Sequence, residues 1–420
     1  MNKVLIITYY WPPGSGAGVQ RWLKFSKYLP SFGWEPVILT VDPTYAAYPA
    51  LDNTLLSEMS KGLTVYKTKA SDYFRLYKRD KTKIPSAGFA SNDGKSIKGK
   101  ILRFIRGNFF IPDPRKGWNK FAIAKACEII ENDGINHIIT TSPPHSTQLI
   151  GLKLKKRYPG IKWIADLRDP WTDIYYYRQF YPSRLARSID SRFEKKVLKS
   201  ADKIITVGKS LKNIFSEKLP GAAQKIEVVT NGYDEDDFAD KIPGNPDIFT
   251  ISYTGTLSDA YPVSIFLESF HKIIEGGNEI KLRFVGTVSP LLKDLILSKA
   301  GSSFVEFIPY VDHAEAIRYM LGATLLLLII PDHQSNRSII TGKLFEYLAS
   351  GKPVLCLGPV DGDAAHIICS SGSGKCFTYD DEKGIRDFIF SVMKQPAFEV
   401  NKRPVEYSRS HLTEQLVSFL

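Results

Sequence analysis

Short apolar segments alternate with amphipathic helical segments along almost the whole chain. Residues 4–8 and 37–41 are nearly continuous in apolar character, which is typical of parallel strands buried on both faces. Helical patterns occupy residues 19–29 and 147–158. Because parallel neighbours need a crossover connection, repeated units of this kind predict an α/β fold with a doubly wound parallel sheet.

The alternation occurs in two series separated by a polar stretch. Residues 231–246 are acidic and contain Gly and Pro, and a second series of strands begins at residue 249. At 420 residues the chain is long for a single core. We therefore predict an N-terminal domain at residues 1–235, a C-terminal domain at 246–400, and a terminal helical segment at 401–420.

Composition narrows the class of protein. Hydrophobic residues make up 43% of the chain and charged residues 24%, as in ordinary globular proteins. Four cysteines show no metal-ligand spacing, so no metal or other cofactor is expected. The longest apolar run, residues 323–330, is far shorter than a membrane-spanning helix needs, and the first residues resemble a strand rather than a signal peptide. These features predict a cytoplasmic protein.

Positive charge is concentrated in one segment. The chain carries a net charge of +12, and residues 67–120 contain 15 Lys and Arg against four Asp, an excess of +11. A helix predicted at residues 98–110 would have an apolar aromatic side and a basic side formed by Lys98, Lys100, Arg103 and Arg106. This pattern predicts contact with an anionic membrane surface. A core-packed connection is the alternative; nucleic acid is not expected, because no nucleic-acid motif accompanies the charge.

Two groups of ligand candidates follow strands of the first series. Gly14, Gly16 and Gly18 separate the first strand from the first helix, where backbone N–H groups can approach an anion or sugar. A plain tight turn explains the same glycines. The second group lies where the fourth and fifth strands end, at the sheet edge that binds ligands in such folds. Its members are His145, Asp166, Arg168, Asp169 and Trp171.

Residues of this second group also allow a purely structural interpretation. His145 can be a satisfied loop histidine, and Arg168 can pair with Asp166 or Asp169 to shape the loop. Trp171 and the tyrosine run at residues 175–177 can form an apolar wall for an acceptor or simply cover the loop.

The segment at residues 341–355 predicts a helix followed at once by a buried strand. Thr341 is the expected N-cap and Gly342 the first helical residue, and Lys343 and Glu346 share one face. A lysine in the first turn opposes the helix dipole, unless an anion sits at the helix start. A solvated lysine is the alternative.

Six motifs together resemble one family. They are YYWPPGSGAGVQR, TSPPHS, ADLRDPW, VTNGYDEDDF, YTGTL and TGKLFEYLASGKPVL. The chain resembles bacterial GT-B glycosyltransferases of the retaining family-four type. The resemblance implies two Rossmann-like domains facing a cleft that holds a nucleotide-sugar, and a C-terminal helix that returns to the first domain.

The resemblance also implies roles for individual residues. Glu346 would hold the donor ribose, while Lys343 and the Thr341–Gly342 helix start would face the diphosphate. Gly16, Gly18 and Gly255 would lie beside the donor, and His145 would meet the transferred sugar. Asp166, Arg168, Asp169 and Trp171 would form the acceptor side.

This chain departs from the family pattern at two places. Ser338 stands eight residues before Glu346, where the family has a second glutamate. The Arg…Lys pair that contacts the diphosphate in the family has no counterpart in TGTLSDAYP, and Arg337 is the candidate replacement.

We predict an enzyme that transfers a sugar from a nucleotide-sugar to a growing, lipid-linked surface glycan, such as lipopolysaccharide or capsule, with retention at the anomeric carbon. It would act at the inner face of the cytoplasmic membrane, with His145, Lys343 and Arg337 as catalytic residues. The alternatives are a non-catalytic GT-B protein that binds a nucleotide or glycan and, less favoured, a nicotinamide-dependent enzyme.

Overall fold

The computed structural model describes residues 1–71, 97–239, 246–394 and 403–420, without the side chains of Ala17, Ile97 and Lys98. The predicted role of Lys98 therefore falls outside the described residues, as does the part of the basic segment at 72–96. The chain forms two compact units, one of Met1–Thr230 with Leu412–Leu420 and one of Asn231–His411.

The first unit contains a seven-stranded parallel sheet in the order β3-β2-β1-β4-β5-β6-β7. Its strands are β1 (Asn2–Ile7), β2 (Trp34–Val41), β3 (Thr64–Thr68), β4 (His137–Ser142), β5 (Lys162–Leu167), β6 (Lys203–Thr206) and β7 (Ile226–Val228). The central strands are buried on both faces, since Val4, Leu5, Ile6 and Ile7 are all fully buried. The apolar runs thus form the core that the sequence predicts.

Helices of the first unit cover both faces of this sheet. They are α1 (Ala17–Tyr28), α2 (Ile97–Phe109), α3 (Asn119–Asp133), α4 (Gln148–Arg157), α5 (Arg184–Ser200) and α6 (Lys209–Lys218). The terminal helix α13 (Arg409–Val417) places Leu412 and Leu416 in the same apolar cluster as Val4 and Trp22. The last residues of the chain are therefore part of the first unit.

The second unit contains a six-stranded parallel sheet in the order β10-β9-β8-β11-β12-β13. Its strands are β8 (Phe249–Thr254), β9 (Ile280–Val285), β10 (Val305–Ile308), β11 (Leu325–Ile329), β12 (Val354–Leu357) and β13 (Gly374–Phe377). Its helices are α7 (Ser264–Glu275), α8 (Pro290–Ala300), α9 (His313–Leu321), α10 (Gly342–Ser350), α11 (Asp363–Ser370) and α12 (Glu382–Lys394). Two Rossmann-like α/β units confirm the predicted fold class.

The second unit begins at the polar stretch that the sequence predicts as a connection. The backbone N–H of Tyr233 donates to the carbonyl of Tyr407 at 3.0 Å, and that of Arg409 donates to Tyr233 at 2.8 Å. These bonds join residues from both ends of the unit, so residues 231–239 and 403–411 are built into it. In the described parts of the chain, no helix is long and apolar enough to cross a membrane.

Candidate functional site

Helix α10 of the second unit starts at a residue whose side chain does not cap it. Thr341 has the extended backbone of an N-cap (φ −80°, ψ 149°), yet its side chain makes no capping hydrogen bond. Its Oγ1 is buried and has no hydrogen-bond partner among the described residues. The first N–H groups of a helix lack intrahelical acceptors and attract negative charge. This helix start is therefore suited to an oxyanion.

Lys343 stands in the first turn of the same helix and is half-buried. Its Nζ donates a hydrogen bond to the hydroxyl of Tyr253 at 2.8 Å and lies 4.0 Å from the centre of that ring. Burial lowers the pKa of Lys343 to about 7, although Glu346 opposes the shift. A phosphate at the helix start would restore the charge that this ammonium loses by burial.

Gly255 makes room for this lysine. Its φ of +104° lies in the region that favours glycine, and a Cβ there would stand 3.1 Å from Lys343 Nζ. Gly255 follows β8 directly, and its N–H donates to Val285 at 2.7 Å. The predicted donor-side glycine thus lies against the predicted diphosphate lysine.

Glu346 lies one turn further along α10. Its Oε1 is 3.0 Å from Nε2 of His313, the first residue of α9, and both side chains are 24% exposed. Its other carboxylate oxygen has no hydrogen-bond partner among the described residues. A carboxylate that is held on one side and open on the other can accept hydrogen bonds from ligand hydroxyls. Sequence reasoning missed His313, because the contact joins two different helices.

Arg337 is not placed with this group. Its side chain is 68% exposed and its Nε pairs with Asp361 at 3.0 Å. It lines a surface depression with Asp332, His333 and Asn336, a set that includes neither Thr341 nor Lys343. Ser338 donates to the carbonyl of Ser335 at 3.0 Å, so its hydroxyl is used locally. The structure offers no support for Arg337 as a catalytic replacement.

In the first unit, Asp166 has a structural position. It belongs to β5 rather than to the loop that follows, and it is fully buried. It accepts hydrogen bonds from Arg21, Trp22 and Thr141, with Trp22 Nε1 and Thr141 Oγ1 at 2.8 and 2.7 Å. The prediction of Asp166 as an acceptor-side ligand is corrected, since its oxygens are occupied beneath the surface.

Arg168 lies next to this network and packs against Gly18, the last of the three glycines that follow β1. Its Nε donates to the carbonyl of Ser142 at 3.1 Å and lies 3.7 Å from Asp166. A Cβ on Gly18 would be 2.4 Å from Arg168 Nη1, so only glycine permits this approach. Gly16 is the N-cap of α1, two residues earlier. The glycine segment at the start of α1 and the loop after β5 are thus in contact through Gly18 and Arg168.

His145 and Trp171 form a stacked pair. Their rings are 4.8 Å apart with an interplanar angle of 13°. Trp171 is buried and donates from Nε1 to Asp190 at 2.8 Å. The Nδ1 of His145 is buried and has no partner among the described residues. Burial, with Lys218 and Arg168 nearby, lowers the pKa of His145 to about 3, so the ring is neutral at neutral pH.

Asp169 follows Arg168 and is half-buried. Burial raises its pKa, while the charge of Arg168 opposes the shift. Of the predicted acceptor-side residues, Asp169 is the carboxylate that is not enclosed in the network of Asp166.

Four of the predicted site residues of this unit border a cavity of about 220 Å³. Its lining includes Gly18, His145, Arg168 and Trp171. It also includes Arg106, which the sequence assigned to a membrane surface. Helix α2 turns Arg106 inward, where its guanidinium lies 4.0 Å from the ring centre of Phe180. The prediction that Arg106 faces a membrane surface is therefore corrected. Lys100, Ile101 and Phe104 of the same helix are exposed.

Tyr10 of the first quoted motif and Tyr176 of the predicted apolar wall also border the cavity. Sequence reasoning missed Asp113, Arg115 and Asp190, which belong to the lining as well. The Asp-Pro-Arg run at 113–115 carries no known motif, and only packing between distant segments brings it here.

Comparison with known proteins agrees with this architecture. Residues 86–237 match the family described as Glycosyltransferase Family 4. No curated protein sequence is similar enough to be a relative. The fold is similar to that of sucrose-phosphate synthase from Thermosynechococcus elongatus, with a TM-score of 0.63 and 14% identity over 100% of this chain and 98% of that one.

Two further structures share the fold. Anabaena HepE in complex with UDP has a TM-score of 0.63 at 11% identity, covering 99% of this chain and 98% of that one. A glycosyltransferase from Rickettsia africae has a TM-score of 0.61 at 14% identity, covering 100% and 98%. The shared two-unit architecture shows the GT-B fold, and the family match covers residues 86–237.

Proposed function

We propose that this protein transfers a sugar from a nucleotide-sugar to a carbohydrate acceptor. The observation that carries the proposal is the start of α10. There, Thr341 Oγ1 is buried without a hydrogen-bond partner among the described residues, and burial lowers the pKa of Lys343 to about 7. A bound diphosphate would accept a hydrogen bond from the Thr341 hydroxyl and would stabilise the protonated form of Lys343. The Anabaena HepE structure is a complex with UDP, which makes a uridine nucleotide the first candidate here.

The reaction we propose retains the anomeric configuration. The bond from the anomeric carbon to the donor phosphate breaks, and a bond from that carbon to the acceptor oxygen forms on the same face. The acceptor hydroxyl gives its proton to the departing phosphate oxygen. Lys343 and the N–H groups of the helix start stabilise the diphosphate charge as it develops. Glu346 would orient the nucleotide through the ribose hydroxyls.

Nucleotide binding tests this proposal directly. Thermal unfolding of the full chain is measured with UDP-, GDP- and ADP-sugars and with NAD, because a ligand of the folded state raises the apparent stability. One nucleotide-sugar should raise Tm, NAD should not, and Glu346→Gln should weaken the effect. A Tm raised by NAD alone would refute the proposal.

The acceptor side of the proposal is a lipid-linked glycan at a membrane surface. Ile101 and Phe104 of α2 are 53% and 48% exposed, and Lys100 beside them is exposed. Apolar side chains next to basic ones are typical of surfaces that insert into anionic membranes. A variant with Ile101→Ser and Phe104→Ser should sediment less with phosphatidylglycerol vesicles than the wild type. Leu291→Ser, which removes an exposed leucine of α8, is the control. An equal loss of vesicle binding in the Leu291→Ser control would contradict the proposal that this part of α2 binds the membrane.

A second candidate is a GT-B protein that binds a nucleotide-sugar without transferring it. Ser338 favours it, because no carboxylate stands at that position and its hydroxyl is bonded locally. An assay that follows release of the nucleotide separates the two candidates. Release by transfer or by hydrolysis of a bound nucleotide-sugar would exclude the second. Binding with no turnover over a broad acceptor set would favour the second.

A further inference from the structure

The cavity of the first unit carries more positive than negative charge. Three guanidinium groups line it, those of Arg106, Arg115 and Arg168, against the carboxylates of Asp113 and Asp190, and Arg168 also lies 3.7 Å from Asp166, which is not part of the lining. Burial raises the pKa of Asp190 to about 6. The imbalance is unusual for a half-buried space, where unpaired charge is costly.

Both carboxylates are already engaged by hydrogen-bond donors of the protein. Asp113 accepts from the backbone N–H and the hydroxyl of Ser146 at 2.8 and 2.9 Å. Asp190 accepts from Trp171 Nε1 and from the Tyr177 hydroxyl at 2.8 and 3.0 Å. Within the described parts of the chain, neither carboxylate forms an ion pair with Arg106 or Arg168. Their hydrogen bonds are therefore made with groups other than these two guanidiniums, although the charge of Asp113 acts to raise the pKa of Arg106.

Arg106 lines the cavity and forms no ion pair with a carboxylate in the described parts of the chain. It is half-buried, and its guanidinium lies 4.0 Å from the centre of the Phe180 ring. Burial and the neighbouring charge of Arg115 both lower its pKa. Gly107 lets the helix approach closely, since a Cβ there would lie 2.2 Å from the Phe180 carbonyl. The packing thus holds a guanidinium at the cavity at an electrostatic cost.

The rest of the lining is aromatic or neutral. Tyr10, Trp171 and Tyr176 present ring surfaces, and His145 presents a neutral ring whose buried Nδ1 has no partner among the described residues. The cavity of about 220 Å³ is smaller than the ~300–1,000 Å³ usual for drug-sized ligands, so it accepts one small group of a longer molecule. Guanidinium groups bind carboxylate and phosphate through paired hydrogen bonds, and aromatic faces pack against the C–H faces of sugars.

We infer that this cavity binds an oxyanion of the acceptor, carried on or next to a sugar ring. The shared chemistry is a carboxylate or phosphate oxygen facing Arg106, Arg115 and Arg168. Its two sources are an acidic sugar of the glycan and a phosphate that links the first sugar to a carrier. The inference rests on the proposed function for calling the ligand an acceptor, but it concerns a different unit from the nucleotide site.

Calorimetric titration of the full chain tests the inference. The probes are glucuronate for the carboxylate source, glucose 1-phosphate for the phosphate source and glucose as the neutral reference, all with saturating UDP. At least one anionic probe should bind about tenfold or more tightly than glucose, as expected for a charged hydrogen bond. Preference for glucuronate identifies an acidic sugar and preference for glucose 1-phosphate identifies the linking phosphate. Equal binding of all three probes would overturn the inference.

Variants of one helix supply the control. Arg106→Gln should lose at least about tenfold in affinity for the preferred anion. Arg103→Gln, which removes a guanidinium of the same helix outside the cavity lining, should keep it. Arg106→Lys keeps the charge without the paired donors and should recover part of the affinity, which guards against a folding defect in Arg106→Gln. Unchanged affinity in both Arg106 variants would also overturn the inference. UDP binding that persists while anion discrimination is absent separates this failure from failure of the proposed function.

Discussion

The two candidate binding regions present positive charge by different means. At the start of α10, consecutive residues supply backbone N–H groups, the Thr341 hydroxyl and the single cation Lys343, whose pKa is lowered to about 7. In the first unit, segments far apart in the chain bring three guanidiniums to one cavity. The first region is locally encoded and its charge depends on pH, whereas the second depends on packing and keeps its charge. This difference leads to distinct experimental consequences.

The largest expected effect separates the regions by function. Lys343→Ala should lower the transfer rate by about 10²–10³-fold, since it removes a group that faces developing charge. The fold should survive, because Lys343 is only half-buried and its removal leaves no buried carboxylate. Transfer rate and thermal unfolding are the measurements, and Lys383→Ala, on an exposed face of α12, is the control. An unchanged rate would show that the helix start does not serve the diphosphate.

The second effect uses pH to sharpen the contrast. Free Lys343 loses its proton as pH rises through about 7, while bound diphosphate favours the protonated form. Binding must then take up a proton, so Kd for UDP should rise by up to about tenfold per pH unit above pH 7. Arginine stays charged over this range, and Asp190, whose pKa is raised to about 6, is already largely ionised above pH 7, so anion binding in the first unit should change little there.

Titrations with UDP and with glucuronate between pH 7 and pH 9 measure both slopes. Lys343→Arg should flatten the UDP slope and leave the glucuronate slope as it was. A steep wild-type UDP slope that persists in Lys343→Arg would assign the proton to another group.

The third effect concerns the contact that shapes the cavity. A methyl group on Gly18 would lie 2.4 Å from Arg168 Nη1, the end of a flexible side chain. Gly18→Ala should therefore displace the guanidinium at a modest cost in stability, roughly 1 kcal/mol, and weaken anion binding several-fold. Gly160→Ala is the matched control, because nothing lies within 4 Å of a Cβ there. Calorimetry and thermal unfolding check the two quantities. Full anion affinity in Gly18→Ala would remove Arg168 from the proposed contacts.

The contrast between the two regions also explains which parts of the fold and of the candidate site can be predicted from the sequence. Strand–helix alternation predicts both sheets, because burial on two faces leaves a direct mark on composition. Helix α8 and strand β13 escape such prediction: apolar residues of α8 do not keep to one face, and β13 is four residues long and contains Gly374. Lys343 and Glu346 are predictable because helix periodicity places them on one face, and Thr341 because it immediately precedes the helix.

Other residues could not be found in this way. Asp166 looks like a loop ligand in sequence, yet the strand continues through it and its neighbours enclose it. Arg106 looks like part of a basic surface, and the direction in which it faces depends on Phe180, more than seventy positions away in the chain. Long-range packing decides such cases, and periodicity within one helix carries no information about it.

The smallest expected effect tests whether the locally encoded region also depends on packing. His313 Nε2 holds one oxygen of Glu346 at 3.0 Å from the neighbouring helix α9. His313→Ala should leave the carboxylate in place but less ordered, raising KM for the nucleotide-sugar by about two- to tenfold with little change in kcat. His271→Ala, which removes an exposed histidine paired with Glu275 on α7, should leave KM unchanged. A fall in kcat with constant KM would contradict a positioning role. It would instead place His313 among groups that act on the transition state, and the helix start would then be less locally encoded than its sequence indicates.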